Sequence, residues 1–548
     1  MIILIGKGDR QFRLKVGVWG EKIKYSGGKM MKVKKWLILG MALMMGMLLM
    51  AGCGGTKKAT TEAAKQTVLV YGSGDYSSIN PALYEHGEIN CLIFSGLTAH
   101  DQNNKVIPAL AESWTLDQAT NTYTFKLRNG VKWHDGQPFT AEDVKFTLEI
   151  IMNPKNASEI ASNYEDITKI EAVDNTTLKI TLKAPNVAML DYLTIGIMPK
   201  HLLDGKDIAT DKYNQFPIGT GPYKMESWDK GQSITLVKNK DFYIKEPQID
   251  KVIFKIVEDT KARALQLKSG ELDLAQVTPQ DVGEFANNKA FTVYDMKTSD
   301  YRGIMYNFNN PFFKENRELP NALSYAIDRK AILDSVILGY GKVAYSPLQV
   351  GEYNNPAMEK FDYNPAKAKA ELEKAGWKQG SDGIYAKNGR KLSFTVNCKE
   401  GDRVRADIAN ICAQQFKAIG VDMKVAVQAK IDWDNQEAFL IGWGSPFDPD
   451  DHTYKIFATG KGDNYSSYSN AKVDELLTKA RETDVKADRL KYYQEFQTEL
   501  TKDMPYTFVS YIDALYVSKP NLHGITPDTV LGHHGVGIFW NVADWTIK

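Results

Sequence analysis

One uninterrupted apolar run, Trp36 to Met50, limits what this chain can be more than any other feature. Fifteen helical residues reach only about 22 Å, short of a ~30 Å bilayer core, and no later run is longer. A polytopic membrane protein is thereby excluded. Most of the 548 residues must fold in water, too many for a single hydrophobic core, so at least two domains or lobes are expected. Apolar residues make up 43% and charged residues 25%, which excludes a wholly disordered or collagen-like chain.

Lys32, Lys34 and Lys35 precede the apolar run, and Ala51-Gly52-Cys53 follow it. A basic region, an apolar region and small residues at a cleavage point make a secretory signal over 31–52. Met50-Ala51-Gly52-Cys53 resembles the bacterial lipobox, which implies lipidation of the Cys53 sulfur and attachment to the outer face of the cell membrane. Residues 1–30 carry Asp9 and Glu21 ahead of the true basic region. The codons of Gly27-Gly28 can also hold a ribosome-binding sequence just upstream of Met31, so 1–30 are expected to be a gene-model extension. Residues 53–66 are small and polar, a flexible tether with a reach of roughly 20 Å.

Removing 1–52 leaves 58 basic and 65 acidic residues, a net charge of −7. An acidic surface without a basic patch excludes nucleic acid as a partner. Besides Cys53 the chain has Cys91, Cys398 and Cys412, with no Cys-x-x-Cys spacing. This argues against a disulfide framework or a zinc site and leaves a Cys398–Cys412 bridge open.

Texture changes along the chain. Thr67–Tyr71 is a strand running into Gly72-Ser73-Gly74, and Tyr123–Leu127 alternates into the turn Asn129-Gly130. Thr140-Ala-Glu-Asp143 reads as a capping-box start before a helix. Leu178, Ile180 and Leu182 alternate with polar residues, and Ala262–Leu267 is a helix stopping at Ser269-Gly270. From 301 onward helices dominate: Pro320–Gly339, Ala366–Lys374 and two within Val473–Lys502. They alternate with strand candidates Phe394–Val396 and Val421–Val427, and Tyr506–Val517 returns to a strand pattern.

An ordered set of motifs resembles the extracytoplasmic solute-binding proteins of the peptide/nickel class, which serve ABC importers. These are Leu110-Ala-Glu-Ser-Trp114, Tyr123 to Val144, Ile218-Gly-Thr-Gly-Pro-Tyr223, Ser269-Gly-Glu-Leu-Asp273, Ala326-Ile-Asp-Arg329 and Tyr363-Asn-Pro-Ala366. The resemblance implies an α/β, two-lobed periplasmic-binding-protein fold of type II, in the large class with an extra subdomain and a hinge of two crossing strands. Lobe I is expected from 67–97, 216–300 and 510–548, with an inserted subdomain at 98–215; lobe II is expected at 301–509. The crossing strands are expected near Met296–Phe308 and Tyr506–Val517, with ligand held between the lobes.

The same resemblance directs attention to Trp443-Gly-Ser-Pro-Phe447-Asp448-Pro, a loop that lines the cleft in this class. Nickel-type members have a Trp and a Tyr at the places of Trp443 and Phe447. Peptide-type members pair an acid near this loop with the peptide ammonium, and the nearest acids here are Asp448, Asp450 and Asp451. Arg302 can meet a ligand carboxylate bidentately, and Met305 and Tyr306 can pack on ligand. His86 and Glu88, beside Tyr84, together with His533 and His534, offer imidazole and carboxylate from two loops to a metal or a metal chelate. His452 is a further candidate.

No G-x-S-x-G, H-E-x-x-H or P-loop is present, so the expectation is a monomeric binding protein rather than an enzyme, and no cofactor is implied. The leading reading is capture of an oligopeptide or dipeptide for delivery to ABC permease and ATPase subunits. The alternative is a nickel or other metal chelate, and a metal-dependent extracellular hydrolase using His86, Glu88, His533 and His534 is remote.

Overall fold

The computed structural model describes residues 66–84, 87–433 and 435–548. The signal, the tether to Gln66, Cys53 and His86 therefore lie outside the described residues, Gln66 itself excepted. No described helix is long and apolar enough to cross a membrane.

The first large sheet grows around Val68–Ser73, whose alternate side chains are buried. It pairs in parallel with Lys251–Ile256 on one side and Leu274–Val277 on the other. The helix Thr260–Ser269 makes the crossover between these neighbours. Its N-cap Asp259 accepts from the Ala262 N–H, and it ends at Gly270, whose φ of 82° suits a residue without Cβ. Antiparallel strands complete the seven: Ser233–Lys238 and Tyr223–Asp229 at one edge, Ala514–Ser518 and Thr292–Met296 at the other.

A four-stranded antiparallel sheet, Ala111–Asp117, Thr122–Leu127, Thr177–Leu182 and Ile167–Asp174, forms the subdomain. Leu178, Ile180 and Leu182 turn inward under the helix Ala141–Met152, which buries Val144, Leu148 and Ile151. Asp143 accepts from the Thr140 N–H at 2.9 Å, fixing the helix start.

The second large sheet has six strands in the order Gly341–Val343, Tyr506–Ile512, Tyr301–Tyr306, Ala438–Trp443, Ser393–Lys399 and Asp422–Gln428. The last two are parallel and joined by the helix Arg403–Ala418, a βαβ unit. Two lobes follow from the two largest of three cores: one around Leu69, Phe254 and Trp545, the other around Tyr306, Phe394 and Phe496, with a smaller cluster around Leu272 and Phe285.

The hinge is visible in the pairings. Thr292–Met296 belongs to the first sheet and Tyr301–Tyr306 to the second. Tyr506–Ile512 and Ala514–Ser518 divide the same way about Asp513. What reads as one strand from 506 to 517 is thus two, because the chain changes sheets.

Pro320–Gly339 is likewise two helices, Leu319–Ser324 and Arg329–Ser335. The break lets the buried Arg329 donate to the carbonyls of Ser324, Phe361, Ala344 and Phe508 at 2.7–3.1 Å. Cys398 and Cys412 are buried free thiols, so the bridge left open by the sequence is not formed.

His134 ties the subdomain to the first lobe. Its Nδ1 accepts from the Gly219 N–H at 3.2 Å, so Nε2 must carry the hydrogen donated to the Gly221 carbonyl at 3.0 Å. A second proton would set N–H against N–H, and burial already lowers this imidazole to about 4. Below its ordinary 6.5 the unfolded chain takes up a proton that the folded chain refuses, so stability held above pH 6.5 is lost as pH falls toward 4. The expected share from His134 is about 2–3 kcal/mol. His134→Gln keeps one acceptor and one donor, and urea unfolding between pH 7 and 4.5 should show a flatter profile for it.

Candidate functional site

Where the chain crosses between lobes, it also meets its own tail. The Leu531 N–H donates to the Lys297 carbonyl at 2.8 Å and the Ser299 N–H to the Leu531 carbonyl at 3.1 Å. This pairing sets Asp300 under the short turn His533–Gly535. Asp300 is 1% exposed and accepts from His533 Nδ1 at 2.7 Å, from the His534 N–H at 3.1 Å and from Arg302 Nη1. A bulge between Arg302 and Gly303 breaks the register with Tyr506–Ile512 directly after Arg302.

Arg405, on the helix Arg403–Ala418, joins from the second lobe. Its Nη2 lies 3.4 Å from His533 Nε2 and its Nε 3.1 Å from Asp402. Since the Asp300 carboxylate only accepts and the Arg405 guanidinium only donates, His533 carries its hydrogen on Nδ1. Burial, then the neighbouring Arg302, lowers Arg405 to about 10. His534 is solvent-exposed, but desolvation by the protein around it, then His533, Arg405 and Arg302, holds its imidazole well below its ordinary range, so it is neutral at pH 7. Two guanidiniums therefore stand against two carboxylates, the fully buried Asp300 and Asp402 at the edge, with the two imidazoles beside them.

Trp443, at the end of its strand, forms the adjoining wall. Its ring lies 6.2 Å from that of His533 and 6.2 Å from Tyr465, which stacks on Trp433 at 4.4 Å. The following Gly444 accepts from the His533 N–H at 2.8 Å, and a Cβ on it would stand 2.2 Å from the Ser299 carbonyl oxygen. No residue with a side chain fits there.

Glu88 stands on the first-lobe side. It accepts from the hydroxyls of Tyr71 at 2.7 Å and Tyr516 at 3.0 Å, and Tyr516 also lies 3.2 Å from the Gly535 carbonyl. Burial raises the Glu88 carboxyl and the two tyrosines pull it back. Tyr84 packs half-buried on the first-lobe core. No group of three or more His, Cys, Asp or Glu suited to a metal ion occurs among the described residues. Glu88, His533 and His534 thus do not form a protein-only metal centre, and His86 lies outside the described residues.

Other sequence candidates have different surroundings. Met305 and Tyr306 are completely buried in the second-lobe core, and Tyr306 bonds the Thr507 hydroxyl at 3.0 Å. Phe447 stacks face to face on His100 of the first lobe at 3.8 Å. Asp448 is held by Arg489 at 2.7 Å, and Asp450 by Arg481 at 2.7 Å and the Tyr192 hydroxyl at 2.5 Å. Asp451 lies 3.6 Å from Lys455 and 3.7 Å from His452. These acids face protein cations, not open cleft. Asp300 and Arg405 were not singled out by the sequence, since neither sits in a distinctive local pattern.

Residues 105–503 match the family model of bacterial extracellular solute-binding proteins, family 5. The oligopeptide-binding protein AppA of Bacillus subtilis is 32% identical, with 94% of this chain and 99% of AppA covered. The crystal structure of NikZ from Campylobacter jejuni in complex with Ni(L-His) superposes with a TM-score of 0.83 and 38% identity, covering 88% of this chain and 99% of NikZ. The structure of B. subtilis AppA with a nonapeptide gives a TM-score of 0.80 and 30% identity, with 88% and 99% covered.

Proposed function

The chain belongs to the bacterial extracellular solute-binding proteins of family 5, binding proteins of ABC importers in the peptide or nickel class, and from that premise we propose that its solute is an amino-acid chelate of a divalent metal such as nickel–histidine. One observation carries the reading: Arg302, His533 and the His534 backbone converge on the buried carboxylate of Asp300 beside Trp443, with Arg405 on the far nitrogen of His533. Asp300 and Asp402 balance the two guanidiniums, but Arg302 Nε has no hydrogen-bond partner among the described residues, and in a water-poor cleft a ligand carboxylate supplies one. The neutral His534 offers a lone pair to the metal, and Glu88 retains acceptor capacity for a ligand N–H. A peptide ammonium would need an acid of the 448–451 loop, and Asp448, Asp450 and Asp451 are paired with Arg489, Arg481 and Lys455.

The likeness to NikZ, crystallised with Ni(L-His), supports this reading; the likeness to AppA, crystallised with a nonapeptide, supports the competing one. Calorimetry decides between them. Nickel with L-histidine is expected to bind at least 100-fold more tightly than nickel alone, since bare Ni²⁺ brings a cation to two guanidiniums. Mixed di- to hexapeptides are expected to give no heat. Peptide binding without a response to nickel–histidine would overturn the reading. Lipid on Cys53, holding a monomer at the cell membrane by the 53–66 tether, completes the proposal, and mass spectrometry of the mature N-terminus tests it.

A further inference from the structure

The loop after Trp443 is fastened to the opposite side of the cleft at several points, and none of its fastenings needs a ligand. Gly444 accepts from the His533 N–H, Phe447 stacks on His100, and Asp450 accepts from the Tyr192 hydroxyl at 2.5 Å. Asp450 also receives Arg481 Nη2 at 2.7 Å, and Arg481 Nη1 reaches Asp166 of the subdomain at 3.2 Å. Asp166, Asp450 and Arg481 are all buried.

We propose that Asp166, Tyr192, Asp450 and Arg481 form a closure latch that sets the affinity of the cleft without touching the solute. The division of charge makes it reversible. When the lobes part, Asp450 and Arg481 leave together as a neutral pair within the second lobe. Asp166 stays with Asn186 at 2.9 Å and Lys183 at 3.0 Å. Neither half strands an unpaired buried charge, the usual obstacle to separating an ion pair. Opening loses the Tyr192–Asp450 and Arg481–Asp166 contacts, and each charge-assisted bond biases the hinge toward the closed state. A ligand then adds only the remainder of the closing free energy, so any solute that fits gains equally from the latch.

Tyr192→Phe removes one contact on the subdomain side and Asp166→Asn strips the charge from the other, and both leave the Asp450–Arg481 pair whole. In the mature chain each is expected to enlarge the radius of gyration measured by X-ray scattering without ligand. Each is also expected to weaken nickel–histidine binding about tenfold while leaving the ratio between nickel– and cobalt–histidine unchanged. Unchanged scattering and affinity in Tyr192→Phe would overturn the latch even if Asp166→Asn failed to fold. A changed nickel-to-cobalt ratio would overturn it too, by putting these residues in contact with the solute. If the parent binds neither chelate, the scattering comparison alone decides, so the latch and the proposed solute fail separately.

Discussion

Replacing Asp300 by Ala is expected to destabilise the folded chain by about 3–5 kcal/mol at pH 7, the usual cost of removing one partner from a buried ionic cluster. Asp300 is 1% exposed and receives hydrogens from His533, the His534 backbone and Arg302. Without it, Arg302 and Arg405 face each other across the imidazoles, and only Asp402, at the edge of the cluster, offsets them. The His533–Gly535 turn loses both bonds that draw it onto the crossing segment, so the damage spans both lobes. Asp300→Asn keeps an acceptor but not the charge and should fall between Ala and the parent. Urea unfolding of the three proteins measures this, and a Asp300→Ala protein within about 1 kcal/mol of the parent would show that the cluster does not depend on this carboxylate. A chelate that brings its own carboxylate should restore more stability to Asp300→Ala than to the parent, because it supplies the missing charge.

How much of this was legible depends on whether the controlling contact is local. The helix start at Thr140–Asp143 and the stop at Gly270 are written in neighbouring residues, and both stand where the pattern puts them. The strands Ser393–Lys399 and Asp422–Gln428 stand where the strand texture puts them, while the helix Arg403–Ala418 between them is not among the helices read from the sequence. The break inside Pro320–Gly339 does not, because it is imposed by carbonyls as distant as Phe508 gathering around Arg329. Strand texture from 506 to 517 is continuous, and only the partner strands reveal that Asp513 divides two sheets.

The site divides in the same way. Trp443, Arg302, Glu88, His533 and His534 announce themselves by residue type, and the fold gathers Arg302 and both histidines around one carboxylate. That carboxylate, Asp300, looks like any other acid in a chain with many. The acids after Pro446 look ligand-facing until Arg481 and Arg489, 31 and 41 residues further on, are seen to hold them. A charge pattern within a loop cannot reveal a counter-ion supplied by a later helix.

His534→Ala is expected to lower nickel–histidine affinity about a thousandfold, equivalent to about 4 kcal/mol. The turn holds His534 at a φ of 57°, with its ring 3.9 Å from that of His533. Desolvation by the surrounding protein and the neighbouring cations keep the imidazole unprotonated, which is the form a metal requires. The alternative lone pair, on His533 Nε2, is turned toward Arg405. His534 is therefore the described imidazole best suited to the metal, and its loss should not be made good by its neighbour. Protons compete for this lone pair only below its folded pKa, which lies well under 6.5, so the His534-dependent share of binding should stay level as pH falls from 7 through 6. A histidine without cationic neighbours would instead lose affinity across that interval. Calorimetry of parent and His534→Ala at pH 7 and 6 gives both answers, with free histidine protonation corrected from a protein-free titration. Equal affinity in the two proteins would remove His534 from the metal and with it the main support for a chelate.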